Sequence, residues 1–275
     1  MSTRHRNITL AAVTLLAGLA PAAATAAPKY VAMGSSFAAG PGITPYMADA
    51  PQRCGRSTRN YAHQLAERRG LELVDVSCSG ATTAAILEPW NELPAQIDAV
   101  DGDTTLVTVT IGGNDVFYIG NLMSISCQEL VARGDMPTRQ CRSPQTATEA
   151  DYARLEDGLR RIAAGVKQRA PKATLVFLDY PAVLPSRGTC AATPVPDEAA
   201  DTARAATARV EALTAQVAQE AGAKLVKVSS LSHGHDACAA EPWTTGFPAT
   251  GGVPYHPNLA GMTAQAAALD EVLGH

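Results

Sequence analysis

The sequence predicts a three-layer α/β/α fold around a five-stranded, mainly parallel sheet, on three observations. Short apolar or β-branched runs recur along the chain. Stretches with helical apolar spacing separate them, and no repeat, low-complexity linker or domain boundary interrupts the series. Strands buried on both faces read as such continuous runs, and strands alternating with helices join by right-handed crossovers into a parallel sheet.

The chain opens on Arg4, His5 and Arg6, an apolar run from Ile8 to Leu19, and the small residues Ala22-Ala23-Ala24-Thr25-Ala26-Ala27. This is the tripartite pattern of an export leader with cleavage at Ala24-x-Ala26, so residues 1–26 are expected to be removed and 27–275 to form a single domain. Its apolar core is shorter than the ~20 residues that a membrane span requires, and nothing later is apolar enough to span. Strands are expected at Lys29–Met33, Leu71–Ser77 and Thr104–Ile111. A helix follows over Asp151–Ala170, where Tyr152, Leu155, Leu159, Ile162 and Val166 share one face. The fourth strand is Ala173–Leu178. The next helix, Ala199–Ala221, aligns Ala203, Ala206, Val210, Leu213 and Val217, and the fifth strand is Ala223–Val228. A last helix after Asn258 carries Leu259, Met262, Ala266, Leu269 and Leu273 on one face.

Composition narrows the function classes. Hydrophobic residues are 46% and charged residues 17% of the 275, enough for a folded core and against general disorder. Lys and Arg number 22 against 26 Asp and Glu, a formal net charge of −4 that becomes more negative once Arg4 and Arg6 leave. With no basic surplus to attract phosphates, nucleic acid is not an expected partner. Aromatic residues at 5% are too few for an extended base- or sugar-stacking surface.

Six cysteines lie after the leader: Cys54, Cys78, Cys127, Cys141, Cys190 and Cys238. An even number in an exported chain points to disulfides, and the absence of a CxxC pair weakens redox and zinc-ribbon readings. Many connectivities are open to six cysteines. Pairing sequence neighbours, Cys54–Cys78, Cys127–Cys141 and Cys190–Cys238, uses all six locally.

In sheets of this kind the functional cleft lies beyond the carboxyl ends of the strands. The residues there are Gly34-Ser35-Ser36, Cys78-Ser79-Gly80 and Gly112-Gly113-Asn114-Asp115, while His256-Pro257-Asn258 opens the last helix. A serine becomes a useful nucleophile when a histidine takes its proton and donors await the developing oxyanion. Gly34 allows a sharp exit from the strand, which sets Ser36 at a helix start with its N–H turned toward the oxyanion and the helix dipole behind it. Gly80 offers an unobstructed backbone N–H, Asn114 a neutral side-chain donor, and His256 the general base. The GxSxG elbow of α/β-hydrolases is absent.

Ser, Gly, Asn and His in this order resemble the SGNH (GDSL-type) hydrolases over essentially the whole mature chain. The secreted, three-disulfide layout is similar to the actinobacterial esterases and lipases of that family. The resemblance implies a flavodoxin-like three-layer fold, Ser36 as nucleophile, His256 as base, and Ser36 N–H, Gly80 N–H and Asn114 as the oxyanion hole. It implies a secreted enzyme acting on small-molecule or lipid carboxylic esters, with no cofactor or metal. From charge and hydropathy neither nucleic acid nor stable membrane insertion is expected, and a monomer is the expected state. Two departures stand out. The usual Gly-Asp-Ser reads Gly34-Ser35-Ser36 here; Ser35 can still hydrogen-bond within the turn, and it stands as the competing nucleophile to Ser36. The usual Asp three residues before the histidine is Val253. Some relatives orient the histidine with a main-chain carbonyl, so the Val253 carbonyl is the expected partner of His256, with Asp236 as its competitor.

Other features carry competing readings. His233, His235 and Asp236, with His256, could serve a metal-dependent secreted hydrolase. A non-catalytic binding protein on the same scaffold is the other alternative. Trp90 and Trp243 are candidates for an acyl pocket or for plain core, and the Cys127–Cys141 segment reads as a polar insertion beside the cleft.

Overall fold

The computed structural model describes Ser2, residues 26–137 and residues 141–274. The expected leader lies outside them apart from Ser2 and Ala26. Five parallel strands, β1 (Lys29–Gly34), β2 (Glu72–Asp75), β3 (Thr104–Thr110), β4 (Thr174–Leu178) and β5 (Lys224–Val226), form one sheet in the order β2-β1-β3-β4-β5. Between and after them come α1 (Ser36–Ala39), α2 (Tyr61–Arg69), α3 (Thr83–Leu87), α4 (Tyr118–Arg133), α5 (Glu149–Arg169), α6 (Asp197–Ala221), α7 (Val228–Leu231) and α8 (Leu259–Leu273).

The period of two in each strand sorts its side chains between two cores. Tyr30 and Ala32 of β1, Leu106 of β3, and Val176 and Leu178 of β4 face Leu65 of α2 and Met262 and Leu269 of α8. Val31, Met33, Val107, Val109 and Phe177 face the opposite way, against Leu155, Leu159 and Ile162 of α5 and Val210 and Val217 of α6. Both faces of the sheet are thus covered by helices, which is why the strands read as unbroken apolar runs. Caps mark where helices start. Thr148 and Asp151 form a reciprocal box at α5, and the Asn258 side chain accepts the Gly261 N–H at α8.

The helix start expected at Ser36 is α1, whereas the helices α2, α3, α4 and α7 went unread in the sequence. The segment expected as a polar insertion from Cys127 begins inside α4, which continues to Arg133 with Leu130 buried. The buried face of α4 mixes Ser124, Ser126 and Cys127 with Ile119, Leu122 and Leu130, so its apolar period is blurred.

The sequence order reverses between β1 and β3, the two central strands, so their carboxyl ends splay their loops apart into a crevice. Three disulfides, Cys54–Cys78, Cys127–Cys141 and Cys190–Cys238, close loops of 24, 14 and 48 residues. In the loop-entropy picture they contribute from about 3 kcal/mol for the shortest to about 4 kcal/mol for the longest. Replacing Cys190 and Cys238 together by Ala is therefore expected to lower the unfolding free energy by about 2–4 kcal/mol, measured by urea titration, with m rising as the unfolded chain expands. An unchanged midpoint would show that this bridge constrains nothing.

Candidate active site

The site begins where β1 is forced to stop. Gly34 has φ 147°, and a Cβ there would lie 2.4 Å from the Thr110 carbonyl oxygen, so no side chain fits. Its backbone is held from two sides. The buried Gln96 amide accepts the Gly34 N–H at 2.7 Å and donates to the Gly34 carbonyl at 3.1 Å, and the Cys78 N–H donates to that same carbonyl at 3.0 Å. Ser35 N–H then donates to Thr110 O at 3.0 Å, and α1 starts at Ser36. As α1 is a single turn, the dipole expected behind Ser36 is short, and the local N–H groups dominate.

His256 arrives from the other end of the sequence. The Ser36 hydroxyl donates to His256 Nε2 at 2.8 Å. On the far side of the ring, Nδ1–H donates to the Pro254 carbonyl at 2.8 Å. A carbonyl only accepts, so the proton sits on Nδ1 and Nε2 is left as the free base. The expected Val253 carbonyl is displaced from this role because it is already occupied. It accepts the His256 N–H at 3.3 Å in a tight turn and also the Thr245 hydroxyl. Tyr255, at φ 61°, rotates the next carbonyl toward the ring. The Tyr255 phenol meets Ser126 Oγ of α4 at 2.5 Å, and Thr245 N–H donates to His256 O at 2.9 Å, which together fix the loop.

Both partners are buried: Ser36 is 7% and His256 6% exposed. Burial pushes the imidazole down to about 4, opposed only by the Pro254 carbonyl. Among the described residues no carboxylate pairs with His256. Asp236 is turned to the Cys238 N–H at 2.9 Å.

Donors come from the adjacent strand ends. Ser36 N–H and Gly80 N–H take no acceptor among the described residues. Gly80, at φ 87°, lies against Trp90, whose ring a Cβ would approach to 3.3 Å. The loop leading to it hangs on Asp75 at the end of β2, which accepts Asn60 Nδ2 at 2.7 Å and Ser77 N–H at 3.0 Å, with Arg56 Nε at 3.7 Å. Asn114 Nδ2 spends one proton on Ala81 O at 2.9 Å, which leaves a second N–H. Its neighbour Asp115 accepts both the Thr83 N–H and the Thr83 hydroxyl at the start of α3. These bonds bind the loop of Asn114 to the loop of Gly80. Neither Gln96 nor Asp75 belongs to a motif, and only their burial in contact with the site loops marks them.

The cluster read as a possible metal site is otherwise engaged. His235 stacks on Trp243 with ring centroids 4.0 Å apart, and its Nδ1 meets the Glu241 carbonyl at 2.8 Å. Among the described residues no three His, Cys, Asp or Glu side chains are disposed to hold an ion.

A serine oxygen hydrogen-bonded to a neutral imidazole, with free N–H groups beside it, can attack an acyl carbon and stabilise the resulting oxyanion. Comparison with known proteins places lipases among the relatives of this chain. The GDSL-like Lipase/Acylhydrolase family matches residues 32–264. Lipase 2 of Streptomyces coelicolor is 35% identical over 98% of this chain and 97% of its own length, and a lipase of Streptomyces rimosus is 29% identical over 96% of each. Among solved structures, phospholipase A1 from Streptomyces albidoflavus superposes with a TM-score of 0.73 at 26% identity, covering 90% of this chain and 99% of that one. The extracellular lipase of Streptomyces rimosus superposes with a TM-score of 0.72 at 26% identity, over 90% and 100%. With a family match over most of its residues and a relative aligned over nearly its whole length, the chain belongs to the GDSL-like lipase/acylhydrolase family.

Proposed function

We propose that this protein is an exported serine esterase or lipase that hydrolyses carboxylic esters through an acyl-enzyme on Ser36. The observation that carries the reading is the Ser36–His256 hydrogen bond, with the imidazole fixed from behind by the Pro254 carbonyl.

Ser36 Oγ attacks the acyl carbon as His256 Nε2 takes its proton. The carbonyl oxygen becomes an oxyanion held by Ser36 N–H, Gly80 N–H and the free N–H of the Asn114 amide. His256, now imidazolium, gives the proton to the leaving alcohol. Water enters, His256 removes one of its protons, the hydroxide equivalent adds to the acyl carbon, and as the acid leaves, His256 returns the proton to the Ser36 oxygen. Nδ1–H stays on Pro254 O throughout, which holds the tautomer with no carboxylate. Export is supported by the leader pattern ending at Ala26 and by three disulfides, which persist in oxidising compartments.

Hydrolysis of p-nitrophenyl esters from acetate to palmitate, by the mature protein and by Ser36→Ala, tests the reading. Turnover is expected in the first and none above background in the second; equal rates would remove Ser36 from the mechanism. Asn114→Ala is expected to lose ~100–1000-fold in kcat while remaining folded. Near-wild-type turnover would exclude its amide from the oxyanion hole.

The pH profile gives an independent check. Because the folded imidazole sits near 4, below the ~6.5 of a free histidine, the neutral base and the folding free energy linked to it are complete above ~6.5 and decline as pH falls through about 4. The acid limb of kcat/KM is therefore expected near pH 4. A limb at the free-histidine value, with circular dichroism unchanged across the range, would contradict a buried, carbonyl-oriented His256.

A further inference from the structure

Tyr180, two residues beyond the end of β4, takes no part in the chemistry described so far, yet it ties its own loop to the loops after β1 and β3. It is almost fully buried. Its hydroxyl oxygen accepts the Gly113 N–H at 2.8 Å, and Gly113 directly precedes Asn114. The same oxygen lies 3.4 Å from Ser35 Oγ, and Ser35 directly precedes Ser36. With Gly113 as donor, the phenol proton is free to point at Ser35. Its ring packs 4.6 Å from the Phe37 ring, which in turn packs 5.1 Å from His256. Nothing larger than hydrogen fits between Gly113 and this ring, since a Cβ at Gly113 would fall 2.9 Å from its Cε1, Cζ and hydroxyl atoms. Burial pushes the phenol up to about 12, so the hydroxyl keeps its proton across the working range.

We infer that the Tyr180 hydroxyl is a positioning residue for this hydrolase, setting the Asn114 amide in register with Ser36 through its hydrogen bond to Gly113. A ring alone would fill the space. The hydroxyl adds a fixed acceptor for a buried N–H that has no other partner among the described residues, and it does so one residue before the proposed oxyanion donor. Without it the Gly113 N–H seeks a new acceptor, and the peptide that carries Asn114 turns with it. The contact to Ser35 is long and contributes little.

This inference rests on the Ser36 and Asn114 roles proposed above, and the experiment separates the two. Tyr180→Phe keeps the ring and removes only the oxygen. With p-nitrophenyl butyrate as substrate, kcat is expected to fall roughly 10- to 100-fold while KM stays within about 2-fold. The same substitution in an Asn114→Ala background is expected to cost less than about 3-fold, because the group it registers is gone. Ser35→Ala, which leaves the Gly113 bond intact, is expected to stay within about 3-fold of wild type. A hydroxyl that merely stabilises the fold would lower the denaturation midpoint and leave kcat of the folded enzyme unchanged. Wild-type kcat in Tyr180→Phe overturns the inference, as does an equal loss in both backgrounds, or a loss in Ser35→Ala as large as in Tyr180→Phe. If Ser36→Ala, assayed alongside, retains turnover, it is the nucleophile assignment that fails. If Ser36→Ala is inactive and Tyr180→Phe is not impaired, only the role of Tyr180 fails.

Discussion

The architecture of the site depends on the close approach of Gly34 to the Thr110 carbonyl. The neighbouring strands β1 and β3 end on the same register pair, Gly34 beside Thr110, and β1 must turn out of the sheet there within a single residue. Only a residue without a Cβ can make that exit, because the space a methyl group needs is filled by the neighbouring backbone. An exit so abrupt strips the Gly34 N–H and carbonyl of their place in the ladder, in a region that water does not reach. The Gln96 side chain substitutes for the missing strand with one acceptor and one donor, and the Cys78 N–H supplies the rest. Once Gly34 is fixed, Ser36 has one place to be.

The second organising choice is a carbonyl behind the histidine. A buried carboxylate would stabilise imidazolium more, but it would bring its own desolvation cost into a site where both partners are already nearly inaccessible. The Pro254 oxygen defines the tautomer and the ring plane without adding charge. The consequence is an imidazole that burial keeps neutral, and in the proposed cycle its positive charge would be balanced by the oxyanion beside it. Tight turns and left-handed geometry in the 253–256 segment, braced by Thr245 and by Ser126 of α4, achieve with backbone what a carboxylate side chain would otherwise do.

Much of this was legible in the sequence, for reasons that differ by element. All five strands were found because each contains or adjoins a short apolar or β-branched run. The two edge strands, β2 and β5, are shorter than the runs that announced them, since each pairs on one side only and its apolar run continues into loop. Helices α5, α6 and α8 announced themselves through clean periodicity. In α2, Tyr61, Ala62, Leu65 and Ala66 are buried, but His63, Gln64 and Glu67 to Arg69 dominate the composition; in α4 buried serines hide the stripe. Ser36, Gly80, Asn114 and His256, the residues proposed for the chemistry, drew notice because they sit at strand and helix ends in a recognisable order. The exchange of Val253 for Pro254 was not, because it hinges on the backbone angle of Tyr255, a residue type with no bias toward positive φ. Gln96 and Tyr180 escaped for a related reason: each acts through where its chain neighbours end, which no local pattern encodes.

One contact reaches beyond the chemistry. Gly42 and Gly252 press together so closely that a Cβ on Gly42 would sit 2.4 Å from the Gly252 Cα, and this joins the turn after α1 to the loop that delivers His256. The orienting acceptor is a main-chain oxygen, which no codon change can delete. Mutation can reach it only by altering the path of the chain, and that path is fixed by residues with no reactive group. In a population of variants, loss of function by substitution near this loop would therefore concentrate at glycines and at one tyrosine, positions that a search for chemically active side chains would pass over.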